Sequence, residues 1–270
     1  MIFTTIGNAK KQTGLSYLGA INSSAKIIKN MKVSNNYTYI LYLSPASTSG
    51  YNVCSYSTND CRKGCINTSG RVKMEKVGHS LITNARIKKT KLFFEDRQFF
   101  MNWLIAEIKM YQKKAIKDGY DFSVRLNGTS DINWQSIRHD GQNIFEIFPD
   151  VLFYDYTKNI DKFVNNPLNY HLTYSYTGKN WDSCESVLMN HYNVAVVFDT
   201  KKGKYLPLIY KSYPVIDGDL TDFRINDGNG IIVGLRFKMI KDKIKEKEVL
   251  NSCFVVKETD NNCIKKDAFV

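Results

Sequence analysis

Seven short runs rich in aromatic and β-branched residues, separated by helical or polar stretches, limit most strongly how this chain can fold. They are Tyr37–Leu43, Asp121–Leu126, Val151–Tyr156, Tyr170–Tyr176, Asn193–Asp199, Tyr213–Asp217 and Gly230–Phe237. Between the first two, Phe99, Phe100, Trp103, Leu104, Ile108 and Tyr111 recur at helix spacing within residues 93–117, and Asp118-Gly119 ends that period. Shorter helical stretches are predicted around Trp134–Phe148 and Ser183–Asn190. Strands that alternate with helical crossovers pair in parallel with right-handed connections. Several runs are apolar on both faces, as buried parallel strands are. At 270 residues the chain is close to the size of one α/β barrel. The late crossovers are short, so the pattern predicts a single α/β domain forming a partial or irregular (β/α) barrel with mainly parallel strands. Residues 1–36 read as an irregular N-terminal extension and 37–240 as the barrel-like core. Residues 241–270 read as a charged tail packing on that core, with a helix in DKIKEKEVL and a strand at Cys253–Val256.

The apolar fraction, 43%, suffices for a full core. No apolar run approaches ~18 residues, so no membrane span is expected. The opening segment MIFTTIGNAKKQTG lacks the apolar core of a secretory signal, and a cytoplasmic location is expected. The net charge of +12 is uneven. Residues 1–117 hold 19 Lys and Arg against 5 Asp and Glu, and the remainder holds 19 against 21. Such asymmetry suits a polyanionic partner, a nucleic acid or nucleotide, and equally suits a solvated basic face. The stretch RIKKTKLFFEDRQFF interleaves basic and aromatic residues. The helical period continues beyond it, so its Phe residues are expected in the core.

Cys54, Cys61 and Cys65 are spaced C-x6-C-x3-C on the segment after the first strand. In a reducing compartment, clustered thiols point to metal or redox chemistry rather than disulfides. Three readings stand. The three thiolates can hold three irons of a [4Fe-4S] cluster, leaving one iron open. They can hold Zn with a fourth ligand, for which His79 and Cys184 are candidates. They can also be free thiols. Other polar groups follow the strands at their carboxyl ends, where α/β sheets collect ligands. After the second strand come Asn127, Gly128, Thr129, Ser130 and Asp131. Asp131 can take an amino group or ribose hydroxyls, or cap a helix. After the third come Asp155 and Lys158, suited to acid–base work, substrate anchoring or a surface ion pair. Asp217 follows a later strand, with Asp219 reading as a turn former. Arg236 and Lys238 end the last core strand and can meet an anionic ligand. No HExxH, Walker loop, GxGxxG or GxSxG is present, which leaves metalloprotease, P-loop and serine-hydrolase readings without support.

The stretches LYLSPASTSGYNVCSYSTNDCRKGCINTSGR, ARIKKTKLFFEDR, VRLNGTSDINW, FPDVLFYDYTK, NYHLTYSYTG, NVAVVFD, PVIDGDLTDFR and GIIVGLRFK together resemble the gene product 88 family of bacteriophage proteins, over about residues 37–238. That resemblance implies a phage-encoded protein acting in the bacterial host cell. The layout is also distantly similar to radical S-adenosylmethionine barrels. In those, three cysteines after the first strand hold the cluster, and a Gly-containing motif after the second contacts the amino group of the adenosyl ligand. The likeness implies that Cys54, Cys61 and Cys65 ligate a [4Fe-4S] cluster and that Asn127–Asp131 bind S-adenosylmethionine. This chain departs from the usual C-x3-C-x2-C spacing and has NGTSD where a Gly-Gly-Glu type motif stands. The resulting expectation is an iron–sulfur, radical S-adenosylmethionine-like enzyme acting on a nucleotide or nucleic acid. The alternative is a non-catalytic protein of the same fold, with a zinc or vestigial cysteine site, that binds nucleic acid or a host protein through its basic half.

Overall fold

The computed structural model describes residues 1–21, 28, 31, 33–65, 80–240 and 242–265. The chain divides into two compact units, with boundaries inside the third and fourth predicted strands. The first comprises 1–55, 75–155 and 162–171, and the second 56–74, 156–161 and 172–270.

In the first unit the extension expected to be irregular carries α1 (Ile6–Thr13) and β1 (Gly19–Ala20). Thr5 caps α1 by accepting the Asn8 N–H, and Gly14 ends it in the left-handed region. β1 pairs antiparallel with β2 (Asn36–Leu41). β2 pairs in parallel with β3 (Asp121–Arg125), and β3 with β4 (Leu152–Thr157). The long helical period is two helices. A short helix α2 (Asn59–Lys63) belongs to the second unit, α3 spans Leu81–Glu95 and α4 spans Arg97–Asp118. The break falls at Asp96, whose carboxylate leaves the helical path to cap α4 by accepting the Phe99 N–H. Three of the four Phe residues of the basic–aromatic stretch, Phe93, Phe99 and Phe100, are in the core as expected, whereas Phe94 is half-buried and stacks on the Tyr51 ring.

Strand alternation gives this sheet two unlike faces. Tyr37 and Tyr39 face α4 and its end, where Tyr37 stacks on Tyr120 at 4.4 Å and Tyr39 lies 5.6 Å from the Tyr111 ring. The other face is polar yet buried. Asn36 Nδ2 donates to Thr38 Oγ1 and Ser123 Oγ, and Tyr154 Oη donates to Thr38 Oγ1. The Trp134–Phe148 stretch is one 3-10 turn (Trp134–Ser136) and a single helical turn, α5 (Ile144–Ile147). Asn143 and Glu146 close α5 with a reciprocal capping box.

The second unit builds on β5 (Tyr170–Ser175), whose first two residues lie in the first unit, and β6 (Asn193–Phe198). α6 (Trp181–Met189) connects them. β7 (Ile209–Tyr210) and β8 (Tyr213–Asp217) form a hairpin, and β9 (Ile232–Arg236) lies between β6 and β8, parallel to both. A barrel of successive neighbours would place β8 beside β6, so the order departs from the expected winding here. In the tail, α7 (Lys243–Leu250) and β10 (Val255–Val256) form where a helix and strand are predicted, and β10 pairs in parallel with β6. β11 (Cys263–Ile264) adds to β7. Among the described residues neither unit's sheet closes: β1 ends one and β11 the other. The fold is α/β, with a mostly parallel, unclosed sheet.

The β7–β8 hairpin turns through two residues, Lys211 at φ 47° and Ser212 at φ 70°. Two positive φ values match the strand twist but suit Asn-Gly, not Lys-Ser. Ser212→Gly is therefore expected to raise stability by about 0.5–1 kcal/mol, read as a higher urea midpoint at unchanged slope.

Candidate functional site

Because β2, β3 and β4 run parallel, the segments after them share the carboxyl edge of the first unit's sheet. The 127–131 loop is stitched there to the segment after β2. The Gly128 N–H donates to the Leu41 carbonyl at 3.1 Å, and the Asp131 N–H donates to the Val53 carbonyl at 2.7 Å. Thr129 Oγ1 donates to the Leu43 carbonyl. Only glycine allows this approach at 128, where a Cβ would sit 2.8 Å from the Leu41 carbonyl oxygen and 2.7 Å from Ile40 Cγ2. Cys54 lies against the same loop. Its Sγ accepts the Ala46 N–H at 3.4 Å and is 3.9 Å from the Thr129 carbonyl oxygen.

Within the loop, Asn127 is the hub. Its Oδ1 accepts from Ser130 Oγ, the Ile132 N–H and Trp134 Nε1, at 2.9, 2.9 and 3.2 Å. Asp131 is held by Lys162, whose Nζ lies 2.5 Å from Asp131 Oδ1 and also donates to the Ile132 carbonyl. The predicted ligand-binding side chains thus build the loop itself, and Asp131 is committed to a buried lysine.

Asp155 lies beneath this loop, 1% exposed. Its carboxylate accepts the Leu126 N–H at 3.3 Å, the Asn127 N–H at 3.0 Å and Tyr170 Oη at 3.1 Å. Arg125 Nε is 3.9 Å away, and the Arg125 guanidinium lies over the Tyr154 ring. Burial lifts the Asp155 carboxyl to about 6, against the opposing pull of Arg125, the Asn127 amide, Lys162 and Tyr170. The same burial, with the Asp155 charge, raises the Tyr170 phenol well above its ordinary range. Lys158, expected to act with Asp155, lies half-buried in the second unit.

The cysteines divide between the units. Cys54 belongs to the first. Cys61 and Cys65 belong to the second, where Thr58 caps α2 by accepting the Cys61 N–H. Among the described residues, no group of three or more His, Cys, Asp or Glu is placed to hold a metal ion. His79 lies outside the described residues. Cys184 is fully buried, and desolvation pushes its thiol up to about 12, the environment of an inert core thiol rather than a zinc ligand.

All of this geometry lies inside one matched stretch: the family model for gene product 88 covers residues 1–253. The chain belongs to the gene product 88 family of phage proteins. The match takes in α1, β1 and α7 as well as the 37–238 region that carries the resemblance. No curated protein and no solved structure matches the chain. Among the described residues of this gene product 88 protein, no helix is long and apolar enough to cross a membrane.

The later candidates form a separate cluster in the second unit of this family member. Arg236 Nη1 is 2.7 Å from Asp217 Oδ1 and 3.5 Å from Asp219 Oδ2, and Lys238 Nζ is 3.9 Å from Asp219 Oδ1. The Asp219 N–H donates to Asp217 Oδ1, so Asp219 also makes the turn expected of it. Asp217, Arg236 and Lys238 thus come together as an ion-pair network that ties the end of β8 to the end of β9.

Three residues at the carboxyl edge escape sequence reasoning. Arg125 is undecidable without strand register. Tyr170 reads only as the start of a strand. Lys162 sits in the polar linker IDKFVNNP, where nothing marks a lysine as buried.

Proposed function

We propose that this gene product 88 protein handles an adenosyl-type small molecule at the carboxyl edge of β2–β4, as an enzyme of radical S-adenosylmethionine-like layout acting on a nucleotide or nucleic acid. The observation that carries the reading is the stitching of the Cys54 segment to the 127–131 loop through Leu41, Leu43 and Val53. These loops come after successive parallel strands, the place where α/β folds bind ligands. Their cross-bonding fixes a rigid edge in advance of binding, which lowers the ordering cost that a ligand must overcome. The basic balance of residues 1–117 supports a polyanionic substrate.

The thiols are a separate matter. Three cysteines have the soft-donor chemistry of an iron–sulfur or zinc site. As placed they do not fit one, since no such group gathers among the described residues. No step of the reaction is therefore assigned to a metal or cluster. What the chain's own residues do is build and hold the adenosyl edge.

The deciding experiment is iron, sulfide and zinc content of anaerobically purified protein, with equilibrium dialysis against S-adenosylmethionine. S-adenosylmethionine binding supports the proposal; about four irons per chain would show in addition that the three thiols come together on a cluster. One zinc, no iron and no binding moves the protein to the non-catalytic reading, in which nucleic-acid affinity falls steeply with added salt. The absence of both metal and S-adenosylmethionine binding sinks the proposal.

A further inference from the structure

We infer that Asp155 is a positioning residue, not a group that touches ligand: its buried carboxylate holds the Leu126–Asn127 turn, and through Asn127 the whole 127–131 loop, in the shape the adenosyl edge requires. This role rests on the reading of that edge as an adenosyl site, and it makes the site sensitive to pH.

The geometry separates Asp155 from solvent and joins it to the loop. Two consecutive backbone N–H groups at the end of β3 converge on one carboxylate, at 3.3 and 3.0 Å. The second belongs to Asn127, whose side chain in turn takes Ser130, Ile132 and Trp134. A carboxylate accepts both amides and the Tyr170 hydroxyl at once. A protonated acid turns one of its oxygens into a donor and meets three donors with fewer acceptors. The charged and titratable groups around it are Arg125 from β3, Tyr170 from β5 and Lys162 beyond β4. All three favour the carboxylate, yet burial outweighs them and leaves the group titrating near pH 6.

The sign of the linkage separates two roles. A carboxyl group whose value is raised on folding contributes stability only while protonated, and that contribution is lost as pH rises from about 4 to about 6. The ionised Asp155 therefore opposes folding where it stands. A group placed for stability alone would be neutral here, whereas a buried charge that organises a binding loop fits a functional site.

The test begins without ligand. In ¹⁵N-labelled full-length protein, the Leu126 and Asn127 amide resonances are expected to titrate together with a midpoint near pH 6, and to stay flat in a folded Asp155→Asn variant. Dialysis against S-adenosylmethionine is then expected to show affinity falling about tenfold from pH 7.5 to pH 5, in step with the ionised fraction. In Asp155→Asn the affinity should be weaker at pH 7.5, and the tenfold pH dependence lost. Amides that do not titrate overturn the inference, even if the variant fails to fold. So does an Asp155→Asn protein that binds with wild-type affinity and wild-type pH dependence. Titrating amides with no S-adenosylmethionine binding at any pH support the positioning role and overturn the proposed function instead.

Discussion

Glu107→Ala is expected to lower folding stability by about 3–5 kcal/mol, the range for breaking a buried charged network, measured by urea denaturation at pH 7. Glu107 lies on α4 and is 1% exposed. Its carboxylate accepts the Leu18 N–H at 3.0 Å, the Gly19 N–H at 3.0 Å and Tyr39 Oη at 2.8 Å. Lys89, itself buried on α3, donates to the Leu18 carbonyl at 2.7 Å. Together these groups pin β1 and the chain before it to the helices. Position 19 accepts only glycine, because a Cβ there would lie 2.3 Å from Tyr39 Cζ. Alanine at 107 strands two backbone donors and a phenol in a dry interior, each costing about 1–3 kcal/mol. The loss carries a pH signature. Desolvation brings the Lys89 ammonium down to about 8, and the Glu107 charge is what holds it up. A lysine whose value falls on folding opposes folding below that value, so stability recovers as pH rises from about 8 toward the unfolded range. Without Glu107 the recovery should begin at lower pH. A stability–pH curve that keeps its wild-type position would contradict the assignment of Lys89 to this network.

Lys162→Met should cost a comparable 3–5 kcal/mol, and the loss should be centred on the carboxyl edge. Lys162 is 1% exposed, and its ammonium is the counter-charge 2.5 Å from Asp131. Methionine fills a similar volume but leaves the Asp131 carboxylate, 11% exposed, without that ammonium. Neutralising both partners, Lys162→Met with Asp131→Asn, should recover part of the loss, because a buried pair removed together costs less than one partner removed alone. A double-mutant cycle reads the coupling directly. Since Lys162 is among the charges that lower Asp155, the amide titration of Leu126 and Asn127 should also move above pH 6 in Lys162→Met. Additive single and double variants would show that the pair is not coupled.

Much of the edge is legible in the primary structure because it depends on position along strands. Tyr37–Leu43, Asp121–Leu126 and Val151–Tyr156 announce themselves by composition, and the residues next after a parallel strand must lie at its carboxyl end. That reasoning places Cys54 and Asn127–Asp131 after their strands, whereas Cys61 and Cys65 belong to the second unit and Asp155 lies inside β4. It cannot assign what each residue does there. Asp131 and Asp155 look like ligand-facing carboxylates in the chain, but one is taken by Lys162 and the other lies under the loop it holds. The partners come from 31 and 28 residues away, beyond the reach of any local pattern.

The same limit explains the helices and the second unit. The helical period through residues 93–117 is local and is found in α3 and α4, but the break at Asp96 depends on its carboxylate turning back to cap the next helix. β9 between β6 and β8 is a matter of long-range pairing, which strand composition does not encode. The sequence by itself determined the seven main strand-forming segments, their mainly parallel class and the end of its strand at which the 127–131 loop lies, because periodicity and composition act within a few residues of one another. Only the tertiary structure decided which strands are neighbours, which polar atoms of the 127–131 loop are spent on the loop itself, and that Glu107, Lys89 and Lys162 are buried, because burial and charge pairing are set by segments that meet only when the chain has folded.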